Sequence, residues 1–506
     1  MTAIEPGRVV AVVGAGTMGQ GIAQVALVSG HFVRLYDAVP GRAEQAAAAI
    51  VARLGRLVDK GRLDAAARDA AEARLRPAAA LAELADAALV VEAVLERLSV
   101  KRELFAALQE IVSDDCLLAT NTSSLSVTAV AGALREPGRF VGMHFFNPPP
   151  LLPLVEVVSG FATDETAAER AYATARAWGK TPVRSADTPG FIVNRVARPF
   201  YAEALRVYEE RAADPATIDA VLRECGGFRM GPFELTDLIG QDVNEAVTRS
   251  VWESFFQDPK FTPSLAQRRL VESGRLGRKS GQGWFAYGEG AAAAEPHTAA
   301  PEAAPVSVVV QGELFAAAAL PDLIEEAGIG VVRKDDAVSG HPGWIELSDG
   351  TRLFLADGSA ADDAGMPVIH FDLALDYREA TRIALAPAAG VDAAALREAV
   401  GLFQALGKRV SVIGDIPGMI VARTVAMLVD FALEAASREV ATEEDIDTAM
   451  RLGVNYPRGP VDWGGKLGAW WVAGTLQALH EEYPTGRYAC SQALRRLAAA
   501  QEGYAS

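Results

Sequence analysis

Four separate motifs recur along this chain at one constant spacing, and that repetition constrains its architecture more than any other feature. Gly179-Lys180 returns as Gly407-Lys408, and Pro189-Gly190-Phe191-Ile192-Val193-Asn194-Arg195 as Pro417-Gly418-Met419-Ile420-Val421-Ala422-Arg423. Ile218-Asp219 returns as Ile446-Asp447, and Gly231-Pro232 as Gly459-Pro460, every pair 228 residues apart. A fixed offset over four motifs implies a duplicated structural unit. A length of 506 residues suits several domains, since about 150 residues make one.

The first half reads as doubly wound α/β. Arg8–Val13 and His31–Tyr36 are short apolar runs of strand character, and further strands are expected at 88–94, 116–120, 139–145 and 154–158. Alanine-rich helical stretches separate most of them, the alternation of a parallel-sheet domain. From Thr188 the pattern turns helical as far as residue 288. A tract of alanine, proline and glutamate at 289–305 has nothing to bury and reads as a linker. The expected division is therefore 1–187 α/β, 188–288 helical, 289–305 linker, 306–415 a truncated α/β segment and 416–506 a second helical copy.

A net charge of −17 argues against a nucleic-acid partner; an anionic substrate needs a local basic patch. Cys116, Cys225 and Cys490 are scattered, which suits a reducing compartment without disulfides, and no cluster has metal-ligand spacing. Val9–Val28 is uncharged but rich in glycine and glutamine, so it reads as strand, turn and helix rather than a signal or membrane span. A cytoplasmic protein with no membrane partner is expected.

Gly14-Ala15-Gly16-Thr17-Met18-Gly19 follows a predicted strand and opens a predicted helix, the context that gives a GxGxxG pattern meaning. Gly14 permits the turn, Gly16 admits a pyrophosphate to the backbone, and Gly19 lets helix and strand pack closely. The helix N-terminus offers its free N–H groups to the phosphates. Asp37, at the end of the second strand, suits the adenosine ribose and repels a 2′-phosphate, and Ala38 and Val39 offer no cation. The cofactor expected is NAD.

GAGTMGQGIAQ, NTSSLSVT (121–128), HFFNPPP (144–150), VEVV (155–158), TPGFIVNR (188–195) and GRKSGQGWF (277–285), in this order, resemble the L-3-hydroxyacyl-CoA dehydrogenases. The duplicated tail resembles the longer bacterial members, including those of phenylacetate catabolism. The resemblance implies a Rossmann domain, a helical domain of the 6-phosphogluconate-dehydrogenase-like type, an acyl-CoA substrate and a place in fatty-acid β-oxidation or aromatic catabolism. It makes His144 the general base, Glu156 its carboxylate partner, and Ser123 and Asn194 polar groups beside the substrate oxygen. It sets Glu96, Lys101, Asn147 and Lys279 around the cofactor, and Lys60 toward the CoA phosphates. Arg53, Arg56 and Arg62 are rival cations there, and a solvated charged face is the better reading for all four.

The chemistry agrees. A neutral imidazole takes a hydroxyl proton near pH 7, and Glu156 lies in a strand that is otherwise wholly apolar, where a carboxylate is costly unless paired. Asn194 sits on a helix expected to begin at Pro189, with Pro199 expected to kink it. Ser123 follows a strand at its carboxyl end, where it serves a ligand or caps a helix.

At the 228-residue offset His144 becomes Asp372, Glu156 becomes Ala384 and Asn194 becomes Ala422, and VSVVVQGELF (306–315) holds one glycine where a cofactor turn would need three. The second half is expected to pack rather than catalyse, its helical copy meeting the first within one chain or across a homodimer. Lysine-based β-hydroxyacid dehydrogenases lack the HFFNP motif, and a non-catalytic NAD-binding protein has no need of Ser123, His144, Glu156 and Asn194 together. Purified protein with His144→Gln should bind NAD yet almost fail to reduce it with a 3-hydroxyacyl-CoA; normal turnover would remove His144 from the mechanism.

Overall fold

The computed structural model describes residues 2–334 and 343–505; residues 335–342, inside the expected truncated segment, lie outside the described residues. The chain forms two compact units, 1–195 with 438–454, and 196–437 with 455–506. The expected division did not foresee this: a stretch of the second helical copy belongs to the first unit.

The first unit is built on an eight-stranded sheet: β1 (Val9–Val13), β2 (Phe32–Tyr36), β3 (Leu75–Ala78), β4 (Ala87–Glu92), β5 (Leu117–Thr120), β6 (Phe140–Phe145), β7 (Leu154–Ser159) and β8 (Thr181–Ala186). Their order is β3-β2-β1-β4-β5-β6-β7-β8, parallel except where β7 runs against β6. Sequence reading missed β3 and β8, whose LRPA and TPVRSA carry proline and little apolar patterning. Apolar side chains cover both faces, as a mainly parallel sheet requires. The strand order reverses between β1 and β4, which opens the ligand crevice of such sheets at their carboxyl ends.

The second unit holds a mixed sheet of β9 (Ser307–Gln311), β10 (Gly330–Lys334), β11 (Trp344–Glu346), β12 (Arg352–Leu355), β13 (Val368–Phe371), β14 (Arg382–Pro387) and β15 (Arg409–Val412), ordered β10-β9-β11-β12-β13-β14-β15. The duplication persists in its details. Lys180 donates to the Pro149 and Leu152 carbonyls, and Lys408 to those of Tyr377 and Ala380, at the same 228-residue offset. Asp187 accepts from the Val127 and Thr128 amides, Asp415 from those of Ala361 and Asp362. Phe191 and Met419 share a positive φ of 49° and 50°.

The stretch 289–305 has no helix or strand, but it is not a loose tether. The Ala299 amide donates to the Val410 carbonyl at 2.8 Å and the Glu302 amide to Gln404 Oε1 at 2.8 Å. The fully buried Arg382 donates to the His297 carbonyl and Thr298 Oγ1. Backbone hydrogen bonds, invisible in composition, hold the segment down.

Within this unit the two helical copies meet. Helix Val421–Ser437, almost wholly buried, packs on helix Arg198–Glu209. At the contact the buried Glu203 accepts from Arg423 Nε at 2.8 Å, Arg487 Nε at 3.0 Å and the Tyr488 hydroxyl at 2.7 Å. Burial alone would raise the Glu203 carboxyl, but Arg487, Arg423 and Arg206 overcome it and hold it at about 2. Its stabilising effect is therefore complete above the ordinary carboxylate range and lost as pH falls through about 2. Removing one partner of a buried ion network costs roughly 3–5 kcal/mol, so Glu203→Gln should unfold earlier in urea at pH 7. It should also lose that part of the wild type's acid sensitivity that Glu203 supplies.

Candidate active site

The antiparallel register of β6 and β7 sets His144 directly opposite Glu156, so both side chains leave the same face of the sheet. His144 Nδ1 lies 2.6 Å from Glu156 Oε2. The other carboxylate oxygen accepts from the Ile192 and Val193 amides at 3.0 and 2.9 Å, at the start of the short helix Val193–Val196. Glu156 is completely buried and His144 nearly so. Three donors satisfy a charge that would otherwise be too costly to bury. With Nδ1 donating to the carboxylate, Nε2 is the ring nitrogen left to accept a proton. Phe146 and Phe191 flank the imidazole, with ring centroids 4.5 and 5.9 Å away.

One local expectation needs correction. The helix carrying Asn194 does not begin at Pro189. Gly190 and Phe191 take positive φ in a tight turn, and the helix starts at Val193, where Glu156 collects the free amides. At the expected Pro199 kink the helix is interrupted at the single residue Ala197, and another runs Arg198–Glu209 with the proline in its first turn.

Asn194 Nδ2 lies 3.4 Å from the Ser123 carbonyl, and the Ser123 amide donates to Glu96 Oε1 at 3.0 Å. Ser126, not Ser123, caps the helix Val127–Ala131. Glu96 also accepts from the Thr122 hydroxyl and pairs with Lys101 at 3.0 Å. Burial works against this carboxylate, but Lys101 and the hydrogen bonds outweigh it and hold Glu96 below the usual range. Lys101 is buried and commits its ammonium to Glu96 and to Glu92, 2.8 Å away, so its reach toward a cofactor is through Glu96.

Sequence reading passed over Glu92 and Asn121. Glu92, fully buried at the end of β4, also accepts from the Thr120 hydroxyl at 2.6 Å. Its signal was the one that revealed Glu156, a lone carboxylate in an apolar run. Asn121 Oδ1 accepts from the Phe145 amide at 2.8 Å and pins β6 beside His144.

The cofactor turn fits a dinucleotide. Gly14 takes φ +104° against the Ala93 carbonyl, and a side chain at Gly19 would run into the Gly14 carbonyl. Around Gly16 a Cβ would meet nothing within 4 Å, which leaves the backbone approachable. Asp37 Oδ2 accepts from the Ala15 amide at 2.8 Å, tying the end of β2 to the turn. A cation stands nearer than expected: Arg42 Nε is 3.9 Å from Asp37. Asn147 and Lys60 are exposed, and Lys279, in the second unit, is paired with Asp242.

In the second sheet the register places Asp372 opposite Ala384, its amide 3.1 Å from the Ala384 carbonyl. Asp372 accepts from the Ile420, Val421 and Ala422 amides at 2.8–3.0 Å. Burial raises this carboxyl to about 6 despite those bonds. A carboxylate still gathers the amides at the helix start, but from the opposite strand, and no imidazole remains.

A strand–glycine–helix turn and a buried His–Glu pair on one sheet suit a dehydrogenase that binds a nicotinamide dinucleotide. The comparisons make the family specific. Residues 9–188 match the 3-hydroxyacyl-CoA dehydrogenase NAD-binding domain, 190–287 and 418–504 both match its C-terminal domain, and 346–417 match the 3-hydroxybutyryl-CoA dehydrogenase reduced Rossmann-fold domain. The chain is 44% identical over 499 residues, 99% of each chain, to a 3-hydroxyadipyl-CoA dehydrogenase of Escherichia coli K12. A crystal structure of 3-hydroxybutyryl-CoA dehydrogenase from E. coli K12 superposes with TM-score 0.88 at 42% identity, covering 99% of this chain and 100% of that one. The mitochondrial hydroxyacyl-coenzyme A dehydrogenase of Sus scrofa is 39% identical over 285 residues, 55% of this chain and 90% of its own. The chain belongs to the 3-hydroxyacyl-CoA dehydrogenase family. Among the described residues no helix is long and apolar enough to cross a membrane.

Glu156→Gln keeps the shape but removes the charge that steadies an imidazolium. Its kcat should fall by on the order of ten-thousandfold while cofactor titration stays as in the wild type; an unchanged kcat would make the contact structural only.

Proposed function

We propose that this chain oxidises (S)-3-hydroxyacyl-CoA to 3-oxoacyl-CoA with NAD rather than NADP, and that its preferred acyl group ends in a carboxylate, as in 3-hydroxyadipyl-CoA. The observation that carries the reaction is the buried His144–Glu156 pair at 2.6 Å. The acyl preference is supported by end-to-end likeness to the E. coli 3-hydroxyadipyl-CoA dehydrogenase. NAD, when bound, takes the hydride from C3. The chain's own residues manage the proton and the charge. His144 Nε2 accepts the hydroxyl proton, and Glu156 holds the ring and stabilises the imidazolium. Ser123 and Asn194 hold the substrate oxygen.

Gly14 to Gly19 receive the pyrophosphate and Asp37 the ribose, with Glu96, Lys101 and Asn147 around the cofactor. Lys60, at the exposed end of helix Arg42–Asp59, meets a CoA phosphate. The contact between helical copies inside one chain supports a pseudo-dimeric monomer, and light scattering decides between that and a homodimer.

A second reading, short-chain oxidation, is favoured by the superposing E. coli structure, a 3-hydroxybutyryl-CoA dehydrogenase. Rates for acyl-CoAs matched in length, with and without a terminal carboxylate, separate the two. The proposal expects a higher kcat/KM for the carboxylated chain, and the reverse order supports the short-chain reading. Asp37→Ser should raise the kcat/KM for NADP relative to NAD, because the carboxylate no longer repels a 2′-phosphate.

A further inference from the structure

Residues 438–454 come from the copy that lost its chemistry, yet they pack on the sheet that kept it. β8 is an edge strand, and such an edge needs partners for its outward amides. Here the Ala186 amide donates to the Val440 carbonyl at 2.7 Å and the Arg184 amide to Asp445 Oδ2 at 3.1 Å. Helix Glu443–Gly453 then runs along β7 and β8 and ends on a glycine. A Cβ at Gly453 would lie 2.7 Å from Leu154 Cδ2, 3.1 Å from Val193 Cγ2 and 3.6 Å from Phe146 Cε1.

Each of those side chains is one step from the chemistry. Leu154 shares the inner face of β7 with Glu156, two residues on. The Val193 amide is bonded to Glu156, and Asn194 follows it. The Phe146 ring lies 4.5 Å from the His144 ring.

The other copy supplies the contrast. Helix Pro215–Glu224 packs on β14, with the Thr381 amide donating to the Glu224 carbonyl and the Leu375 amide to that of Cys225, both at 3.0 Å. Cys225 stands where Gly453 stands, 228 residues earlier, and its thiol lies against the Leu373 carbonyl at 3.3 Å. The helix beside the empty pair Asp372/Ala384 carries a side chain at this point; the helix beside His144/Glu156 carries none.

We propose that Gly453 is a positioning residue for the oxidation: the second half finishes the active-site wall, and the missing side chain lets Leu154, Val193 and Phe146 hold His144 on Glu156 and Asn194 beside Ser123. This rests on the dehydrogenase reading above, so one of its readouts is independent of turnover.

The test compares the full-length wild type with Gly453→Ala and Gly453→Cys, the latter installing the other copy's residue. In proton NMR the downfield Nδ1–H signal of His144, assigned by its loss in His144→Gln, reports the bond to Glu156. It should move upfield in both variants. With 3-hydroxybutyryl-CoA and NAD, kcat should fall about ten- to a hundredfold, as small misplacements of reacting groups do, while NAD titration stays unchanged. Adding Leu154→Val to Gly453→Ala removes the nearest clash and should restore both signal and kcat. An unmoved signal with wild-type kcat in folded Gly453→Ala overturns the proposal, as does failure of the double variant to recover either. Should Gly453→Cys fail to fold, Gly453→Ala and its rescue decide alone. A wild type that cannot reduce NAD would defeat the functional reading, and the NMR comparison would still judge the positioning.

Discussion

A buried carboxylate at the junction of a sheet and a helix start is the constraint on which both halves of this molecule depend. Strand β6 ends and strand β7 begins where a turn delivers free amides, and an uncompensated helix start inside a protein is expensive. Glu156 answers that need with one oxygen and orients His144 with the other. The second half keeps the structural task, with Asp372 gathering three amides from the opposite strand. A carboxylate accepts helix-start amides in both copies, from different strands, and in the first copy it also pairs with a histidine.

Much of this was legible before any coordinates. The glycine turn, Asp37 and the pairing of His144 with Glu156 rest on local chemistry: a strand-flanked GxGxxG, or a charge amid valines. The 228-residue offset found the duplication and correctly paired 372 with 384. What sequence concealed depended on distant partners. β3 and β8 lack a pattern because their neighbours in the sheet impose strand geometry on them. The stretch 289–305 looked loose because its anchors are backbone amides and carbonyls. Lys101 looked free for a cofactor because Glu92 had not been recognised as its buried counter-ion.

The two helical copies have diverged in step with the sheets they cover. Where the imidazole is gone, Cys225 fills the approach to the strand; where it remains, the chain narrows to Gly453. Glu203, Arg423 and Arg487 bind the copies through charge rather than apolar surface alone, an arrangement that favours one registry, since any other strands an ion out of water.

The covering of β8 by a helix from the second copy also imposes a schedule on synthesis. The last strand of the first sheet, β8, is complete at Ala186, but the helix that covers its edge begins only at Glu443. At roughly 5–20 residues per second, about 250 intervening residues take on the order of 10–50 seconds to emerge. Throughout that interval the nascent chain presents an unpartnered strand edge, the feature most prone to unwanted pairing. A catalytic unit that is the first to be translated is thus among the last to be finished.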